Sequence, residues 1–417
     1  MDRQLPTSVF GLPSSFLSNH KNRSLSPKEL LILLLSLRLN PKSMILEILW
    51  IAFFASAAIQ FIYLFFIFGR LAFISHSSNP IPSKVEGVSI LIAARNEARN
   101  LQSLIPILAT QNYPKFEIII VNDRSTDDTM ELLRGMMNIY PQLRSVTIQY
   151  TPEHVTAKKY ALTLGIKVAK YDIILLTDAD CTPVSKNWVK MMSTPLIENH
   201  IIFSLGHGAY TRFPGFLNRL IQYETLFTSI NYFSFALWKS PIMGVGRNLC
   251  YRRSFFLEKK AFKGFWHING GDDDLLVNQY ANSNNTAVVI HPESITLSQP
   301  KMDWKSYFTQ KKRHFHAGKY YNVKNKLKLG VYMFTHLIFW ISASFLLLGL
   351  KNWEPITVVA GLIILRAVVQ LQVFMAAKKK LEGIGKVYWT MFFDLMYLSY
   401  FWVVGTKGYL SKKIKWK

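Results

Sequence analysis

The chain has 417 residues, room for two or three domains at about 150 residues each. Half of these residues are hydrophobic and only 18% are charged, with a mean hydropathy of +0.15. A globular domain carries about 25% charge, so this composition excludes a disordered chain and argues against an entirely soluble one. Lys and Arg number 49 against 25 Asp and Glu, a net charge of +24. Such an excess suits either nucleic acid or an anionic membrane surface, and its placement decides between them.

Residues 1–43 mix Ser, Pro and Asn with one short apolar run, Leu30–Leu37, which is too short to span a bilayer. They read as a poorly ordered leader, which is not native if translation starts at Met44. A transmembrane helix is expected over 44–73, centred on Leu49–Phe68, 20 residues in which only Ser56 and Gln60 are polar. A polar domain is expected over 74–300 and a basic helix lying on the membrane over 301–328. A membrane region is expected over 329–417, with spans at about 329–350, 355–376 and 387–410. Arg366 and Asp394 fall inside the last two spans, where ionisable groups are expected to face other helices rather than lipid.

Between Lys301 and Gly330 there are nine Lys or Arg against Asp303 alone, and lysines also flank the later apolar runs. Charge that gathers beside hydrophobic segments indicates a cytosolic membrane face. No zinc-finger or RNA-binding pattern is present, so nucleic acid is not an expected partner. Cys181 and Cys250 are too few for a disulfide framework or a four-ligand zinc site and read as buried reduced thiols.

Within the polar domain, strand-like and helix-like segments alternate. Val88–Ala93, Phe116–Val121, Val146–Gln149 and Asp172–Leu176 read as strands. Stretches 97–110, 127–140 and 156–169 read as helices. Continuous apolar runs spaced by helices predict a buried, mostly parallel sheet with flanking helices, an α/β domain of Rossmann-like type. Ligands of such sheets bind outside the carboxyl ends of the strands. There the sequence places Arg95, Asn96 and Glu97, then Asn122, Asp123 and Arg124, then Asp178, Ala179 and Asp180. No dinucleotide fingerprint or phosphate-binding Gly-Lys-Ser/Thr loop occurs.

Asp178 and Asp180, one residue apart, can hold a hard divalent cation beside a diphosphate that supplies further oxygens. The simpler readings are that Asp180 caps a helix and that Asp123 is a turn residue. Asp272, Asp273 and Asp274 form a second cluster. One of them can be aimed at a substrate hydroxyl as general base, against the simpler reading of an over-capped helix start. In the basic helix, Gln310 and Arg313 offer an amide and a planar guanidinium suited to phosphate, although plain electrostatic anchoring would explain the lysines there.

Taken in order, these segments resemble a membrane-bound family 2 glycosyltransferase of the GT-A fold. The relatives are the hyaluronan, chitin and cellulose synthases and the ceramide glucosyltransferases. Val88 to Glu97 looks like the family's first strand with its Arg-Asn-Glu. Asn122 to Asp127 is similar to its nucleotide-base loop, and Lys158 to Leu162 to its Gly-Lys-x-x-Ala-Leu segment. Asp178-Ala179-Asp180 stands at its DxD position. Gly246 to Arg252 resembles its Gly-x-Asn-x-x-Tyr-Arg loop, and Gly271-Asp272-Asp273 the loop of its catalytic base. Gln310 and Arg313 match Gln-x-x-Arg-Trp.

The resemblance implies a GT-A catalytic domain plus transmembrane helices and a role in cell-envelope polysaccharide or glycolipid synthesis. The implied reaction is inverting transfer from a nucleotide-sugar, by default a UDP-sugar, with Mn2+ or Mg2+ as divalent cofactor. It assigns Asp273, with Asp272, to catalysis. It assigns Ala94, Arg95, Glu97, Asp123, Lys159, Asp178, Asp180, Gln310 and Arg313 to the donor, Asp180 and Asp178 to the metal, and Asn248, Tyr251 and His314 to the acceptor. The partners it implies are a lipid-linked or glycan acceptor and membrane lipids. The location it implies is a bacterial inner membrane with the catalytic domain cytosolic. A catalytically idle, membrane-anchored nucleotide-sugar-binding or transport component is the alternative. Two departures stand out: Asn122 replaces the first Asp of the base loop, and His314 replaces the Trp, which puts processive polymerisation in question.

Overall fold

The computed structural model describes residues 41–74, 85–382 and 389–411. The expected leader lies, up to residue 40, outside the described residues, as do Lys386, Lys412, Lys413, Lys415 and Lys417. The chain enters through α1 (Pro41–Ile62), a π-helical stretch (Tyr63–Phe68) and α2 (Gly69–Phe73). The α/β domain then runs β1 (Val88–Ala94), α3 (Ala98–Ala109), β2 (Phe116–Asp123), α4 (Thr129–Ile139), β3 (Leu143–Ile148), α5 (Ala157–Val168) and β4 (Ile173–Leu176). It continues through β5 (Cys181–Pro183), α6 (Trp188–Ser193), β6 (Phe203–Leu205), β7 (Gly208–Tyr210), α7 (Phe216–Leu237), β8 (Leu249–Arg252), α8 (Arg253–Lys259), α9 (Asp274–Tyr280), β9 (Thr286–Val288) and β10 (Thr296–Ser298). Four helices follow: α10 (Trp304–Gly318), α11 (Val323–Gly349), α12 (Trp353–Glu382) and α13 (Thr390–Leu410).

Seven strands form one sheet in the order β3-β2-β1-β4-β8-β6-β9. The first four are mutually parallel, β8 runs antiparallel to β4 and β6, and β6 and β9 are parallel. The apolar runs of β1, β2 and β4 are buried on both faces because helices cover both sides, which is why they lack a polar alternation. Ala94 pairs with Asn122 at the ends of β1 and β2, and Leu91 with Leu176 at the end of β4. The loops after these three strands therefore open on one edge. The third strand begins at Leu143 rather than Val146: only its two ends are buried, so its pattern is weak.

One face of the sheet packs in a core with Ile90, Leu104 and Trp188. The other face, with Leu91, Val121 and Leu176, shares a single core with α7 and with Tyr332, Phe374 and Tyr397 of the C-terminal helices. Among the described residues, three helical stretches are long and apolar enough to cross a membrane: Ser43–Phe73, Val323–Gly349 and Trp353–Leu381. The fourth expected span, α13, is not among them; it lies along α10. A Cβ at Gly408 would come within 2.8 Å of the Phe315 Cβ and 3.0 Å of the Lys312 carbonyl, so only glycine permits this approach.

Arg366 and Asp394 do face protein, each 2% exposed. The Asp394 carboxylate accepts from Tyr223 Oη (3.1 Å), Gln370 Nε2 (2.7 Å) and Arg366 (3.0 Å), and lies 2.9 Å from His336 Nε2. Arg366 also donates to Gln60 of α1 at 3.0 Å. Side chains from α1, α7, α11, α12 and α13 thus converge on one polar node inside an apolar bundle.

Candidate active site

A cleft of about 720 Å³ opens at the carboxyl ends of β1, β2 and β4. Its floor is stitched before any ligand arrives. Asn96, in the left-handed region at φ 57°, donates its backbone N–H to Ser125 Oγ (2.9 Å), and its side-chain oxygen accepts from the Thr126 N–H (2.7 Å). The backbone N–H of Glu97 donates to Thr129 Oγ1 and that of Ala98 to Asp127. Asn122 holds the turn by accepting from the Ser125 N–H at 3.3 Å. The departure at Asn122 thus serves the loop's shape, and Asp123, paired with Arg124 at 2.8 Å, supplies the carboxylate in the cleft.

Ala94, Arg95, Glu97, Asp123, Asp178, Asp180, Gln310 and Arg313 all border this cleft. Burial, with Asp178 beside it, raises the Asp180 carboxyl above its usual range, and burial similarly raises Glu97. A buried carboxylate with a second one beside it is eased by a cation between them. Donor atoms of Asp178, Asp180 and Cys181 lie within 4.8 Å of one another. Burial pushes the Cys181 thiol up, and its sulfur lies 2.9 Å from Ser298 Oγ, so it stays protonated and is a poor ligand. What remains is a pair of hard oxygen donors, a set that fits Mg2+ or Mn2+.

A second cavity of about 500 Å³ adjoins the first, and Lys158, Asp178, Tyr210, Arg247, Gln310 and Arg313 border both. Its walls are Glu224, Thr228 and Asn231 of α7, Tyr332 and Met333 of α11, Tyr397 and Phe401 of α13, and His314. Asp272, Asp273 and Asp274 line this inner cavity, and Asp272 pairs with Lys158, which borders both. Gly270 (φ 83°) and Gly271 (φ 77°) turn the chain into this triplet; a Cβ on Gly271 would come within 2.3 Å of Leu275 Cδ1.

Each carboxylate of the triplet meets a different environment. Asp272 pairs with Lys158 at 3.0 Å, which holds it below its usual range despite burial. Asp273 accepts from the N–H groups of Gly246 (2.5 Å) and Asp274 (2.7 Å), yet burial and the Asp272 charge raise it. Burial and Asp273 push Asp274 up to about 8, and it accepts from Tyr321 Oη at 2.9 Å. Adjacent carboxylates coexist because one is neutralised by an ammonium and one keeps its proton. His314 is solvent-accessible along the inner cavity wall, where desolvation by the surrounding walls and the neighbouring Lys311 and Arg313 hold it below its usual range.

Three expected residues are not brought to either cavity. Lys159 is 1% exposed and donates to the carbonyls of Ile268 and Gly270, so it braces the loop before the triplet. Asn248 is fully buried, accepting from Trp188 Nε1 (3.0 Å) and donating to the carbonyls of His207 and Ser294. Tyr251 is fully buried in β8, where its ring stacks on Phe256.

Lys158, Arg247 and Tyr210 are at the junction and were not among the expected site residues, although Lys158, three residues before Ala161, stands at the Lys of the Gly-Lys-x-x-Ala-Leu segment. Lys158 precedes Lys159 on α5, and one residue on a helix turns a side chain by about 100°. Arg247 lies over the Tyr210 ring at 4.1 Å and donates to Ser298 Oγ at 3.0 Å. An Arg one residue before an expected site Asn was the available signal. Below the cleft, Glu224 accepts from Tyr307 Oη (2.7 Å) and pairs with Lys311 (2.7 Å), which anchors α10 on α7 and aims Gln310 and Arg313 at the cleft.

A mostly parallel sheet with a carboxylate-lined cleft at its strand ends is the arrangement in which α/β sheets bind their ligands. Residues 89–258, about two fifths of the chain, match the family described as Glycosyl transferase family 2. A poly-beta-1,6-N-acetyl-D-glucosamine synthase of Staphylococcus epidermidis is 35% identical over 124 residues, 28% of this chain and 28% of that protein. A synthase of the same name from Staphylococcus aureus (strain COL) is 31% identical over 129 residues, 29% of this chain and 30% of that protein. The matched stretch is thus less than a third of the length of these relatives. Among solved structures, a mannosyltransferase from Pyrobaculum calidifontis in complex with GDP-Man and Mn2+ superposes with a TM-score of 0.53 at 17% identity. The match covers 81% of this chain and 98% of that one, and it establishes the GT-A fold.

Proposed function

We propose that this protein transfers a sugar, with inversion, from a nucleotide-sugar to a hydroxyl of a membrane-associated acceptor at the cytosolic face. The observation that carries this reading is the continuity of a polar cleft with an aromatic-walled inner cavity, with Asp273 on the wall of that cavity beside Asp272, whose partner Lys158 borders both. The donor diphosphate would occupy the cleft against Arg313 and Gln310, with its base near Asp123. The acceptor hydroxyl would enter from the inner cavity. Asp273 takes its proton as the oxygen bonds to the anomeric carbon and the bond from that carbon to the diphosphate breaks. Arg313 meets the charge that develops on the leaving group, a stabilisation that is usually the largest catalytic contribution. A divalent cation held by Asp180 and Asp178 would add further charge neutralisation there. The names of the relatives favour UDP-N-acetylglucosamine as the first donor to try.

Purified full-length protein, offered UDP-N-acetylglucosamine, UDP-glucose, UDP-galactose and GDP-mannose with membrane lipids, should release nucleoside diphosphate from one of them. No release from any donor would refute the reading. Asp180→Asn should lower that release by about 10²-fold or more while the protein stays folded, on the scale of a lost charge-stabilising group. Chelator should abolish wild-type activity and Mn2+ or Mg2+ restore it; full activity in chelator would remove the cation from the scheme.

A further inference from the structure

We propose that Lys158 is a resident counter-ion of the empty site, which makes the divalent cation bind together with the nucleotide-sugar rather than before it. The inference rests on the glycosyltransferase reading above and concerns the order in which charges enter the site.

Lys158 Nζ lies 2.9 Å from Asp178 Oδ1 and 3.0 Å from Asp272 Oδ2, so one ammonium ties the metal-side loop to the acidic triplet. The lysine borders both the cleft and the inner cavity, whereas Lys159 beside it is turned into the protein. With a carboxylate at hydrogen-bond distance on either side, Lys158 is a positive charge seated on one of the two carboxylates that would hold a dication.

Two consequences follow from charge balance. With the cleft empty, Asp178 is already compensated, and a dication approaching Asp178 and Asp180 meets an ammonium at hydrogen-bond distance from one of its ligands. Like charges at that range disfavour binding. A nucleoside diphosphate brings negative oxygens into the same space, so the cation and the ammonium can then be accommodated together. Lys158 acts here as a positioning residue: it holds Asp178 and Asp272 in register and sets the affinity of the empty site for metal.

The test reads metal binding and does not depend on turnover. Detergent-purified full-length protein is titrated with Mn2+ alone, and with Mn2+ plus UDP or GDP, and free Mn2+ is followed by electron paramagnetic resonance. Wild type should bind Mn2+ weakly alone and at least tenfold more tightly with the nucleotide. Lys158→Met should bind Mn2+ alone at least tenfold more tightly than wild type, and Lys158→Arg, which keeps the charge, should behave as wild type. Lys158→Gln serves as a second neutral variant if the Met variant does not fold. Neutral variants that melt as wild type does but bind Mn2+ alone no more tightly would overturn the inference while leaving the glycosyltransferase reading intact. If Mn2+ binds to neither protein even with UDP or GDP, the metal part of that reading falls, and this inference with it.

Discussion

Replacing Asp273 by Asn is expected to lower turnover by about 10²–10⁴-fold, the usual worth of a positioned general base, while leaving nucleotide-sugar binding close to wild type. The substitution is nearly isosteric. Asn keeps one oxygen to accept from the Gly246 or Asp274 N–H, so the turn into α9 should survive. What it loses is the ability to take a proton. Asp273 is suited to that task because burial and the Asp272 charge raise its carboxyl. A base must be ionised to act, so activity should fall as pH drops, and the acid limb of the rate profile should lie above the ordinary carboxylate range. Nucleotide affinity measured by equilibrium titration, alongside single-turnover rates, separates binding from chemistry. If Asp272→Asn were inactive and Asp273→Asn active, the base would be Asp272; its pairing with Lys158 at 3.0 Å argues against this, because that pairing holds it ionised but poorly basic.

The second large effect is expected far from the chemistry. Asp394→Leu should destabilise the detergent-solubilised protein by about 3–5 kcal/mol, because removing one partner of a buried ion pair strands the other. The stranded group is Arg366, 2% exposed, which would keep only Gln60 and Gln370 as partners. Arg366→Met should cost a similar amount. The double variant should recover part of the loss, since it removes both charges from an apolar setting. Thermal or denaturant unfolding of the four proteins gives the comparison. A single substitution costing less than about 1 kcal/mol, the scale of an exposed pair, would mean the node does not hold the bundle together.

The sheet and the position of the cleft were legible in the sequence because parallel strands covered on both faces write themselves as unbroken apolar runs, as in Val88–Ala94 and Phe116–Val121. The carboxylates followed from these runs, since strand ends are where an α/β sheet presents its ligands. Other features left no readable trace. Helix α7 is apolar on nearly every side because it is buried on nearly every side, so it has no amphipathic stripe to announce it. Strands β6 and β9 have three residues each, too few for any periodicity. Lys158 and Lys159 are the same residue type side by side; the rotation of α5 turns Lys158 to the cleft, which the spacing to Ala161 and Leu162 in the Gly-Lys-x-x-Ala-Leu segment could have told. Asn248 was expected at the acceptor because of its motif, but its amide is fully engaged by Trp188, His207 and Ser294, contacts made across long sequence separations.

The core shared by the sheet and the C-terminal helices bears on how this protein can be divided. Leu91 and Val121 of the sheet, Phe227 of α7, and Tyr332 and Tyr397 of α11 and α13 belong to one continuous apolar body. A water-soluble enzyme on a tether could be cut free at its linker and would keep its shape. Here a cut before Trp304 would strip away the partners of α7, bare its apolar face to water and leave Glu224 without Tyr307 and Lys311. The apolar C-terminal helices are therefore part of the folding unit that builds the cleft, and the smallest piece able to hold the site in shape includes them.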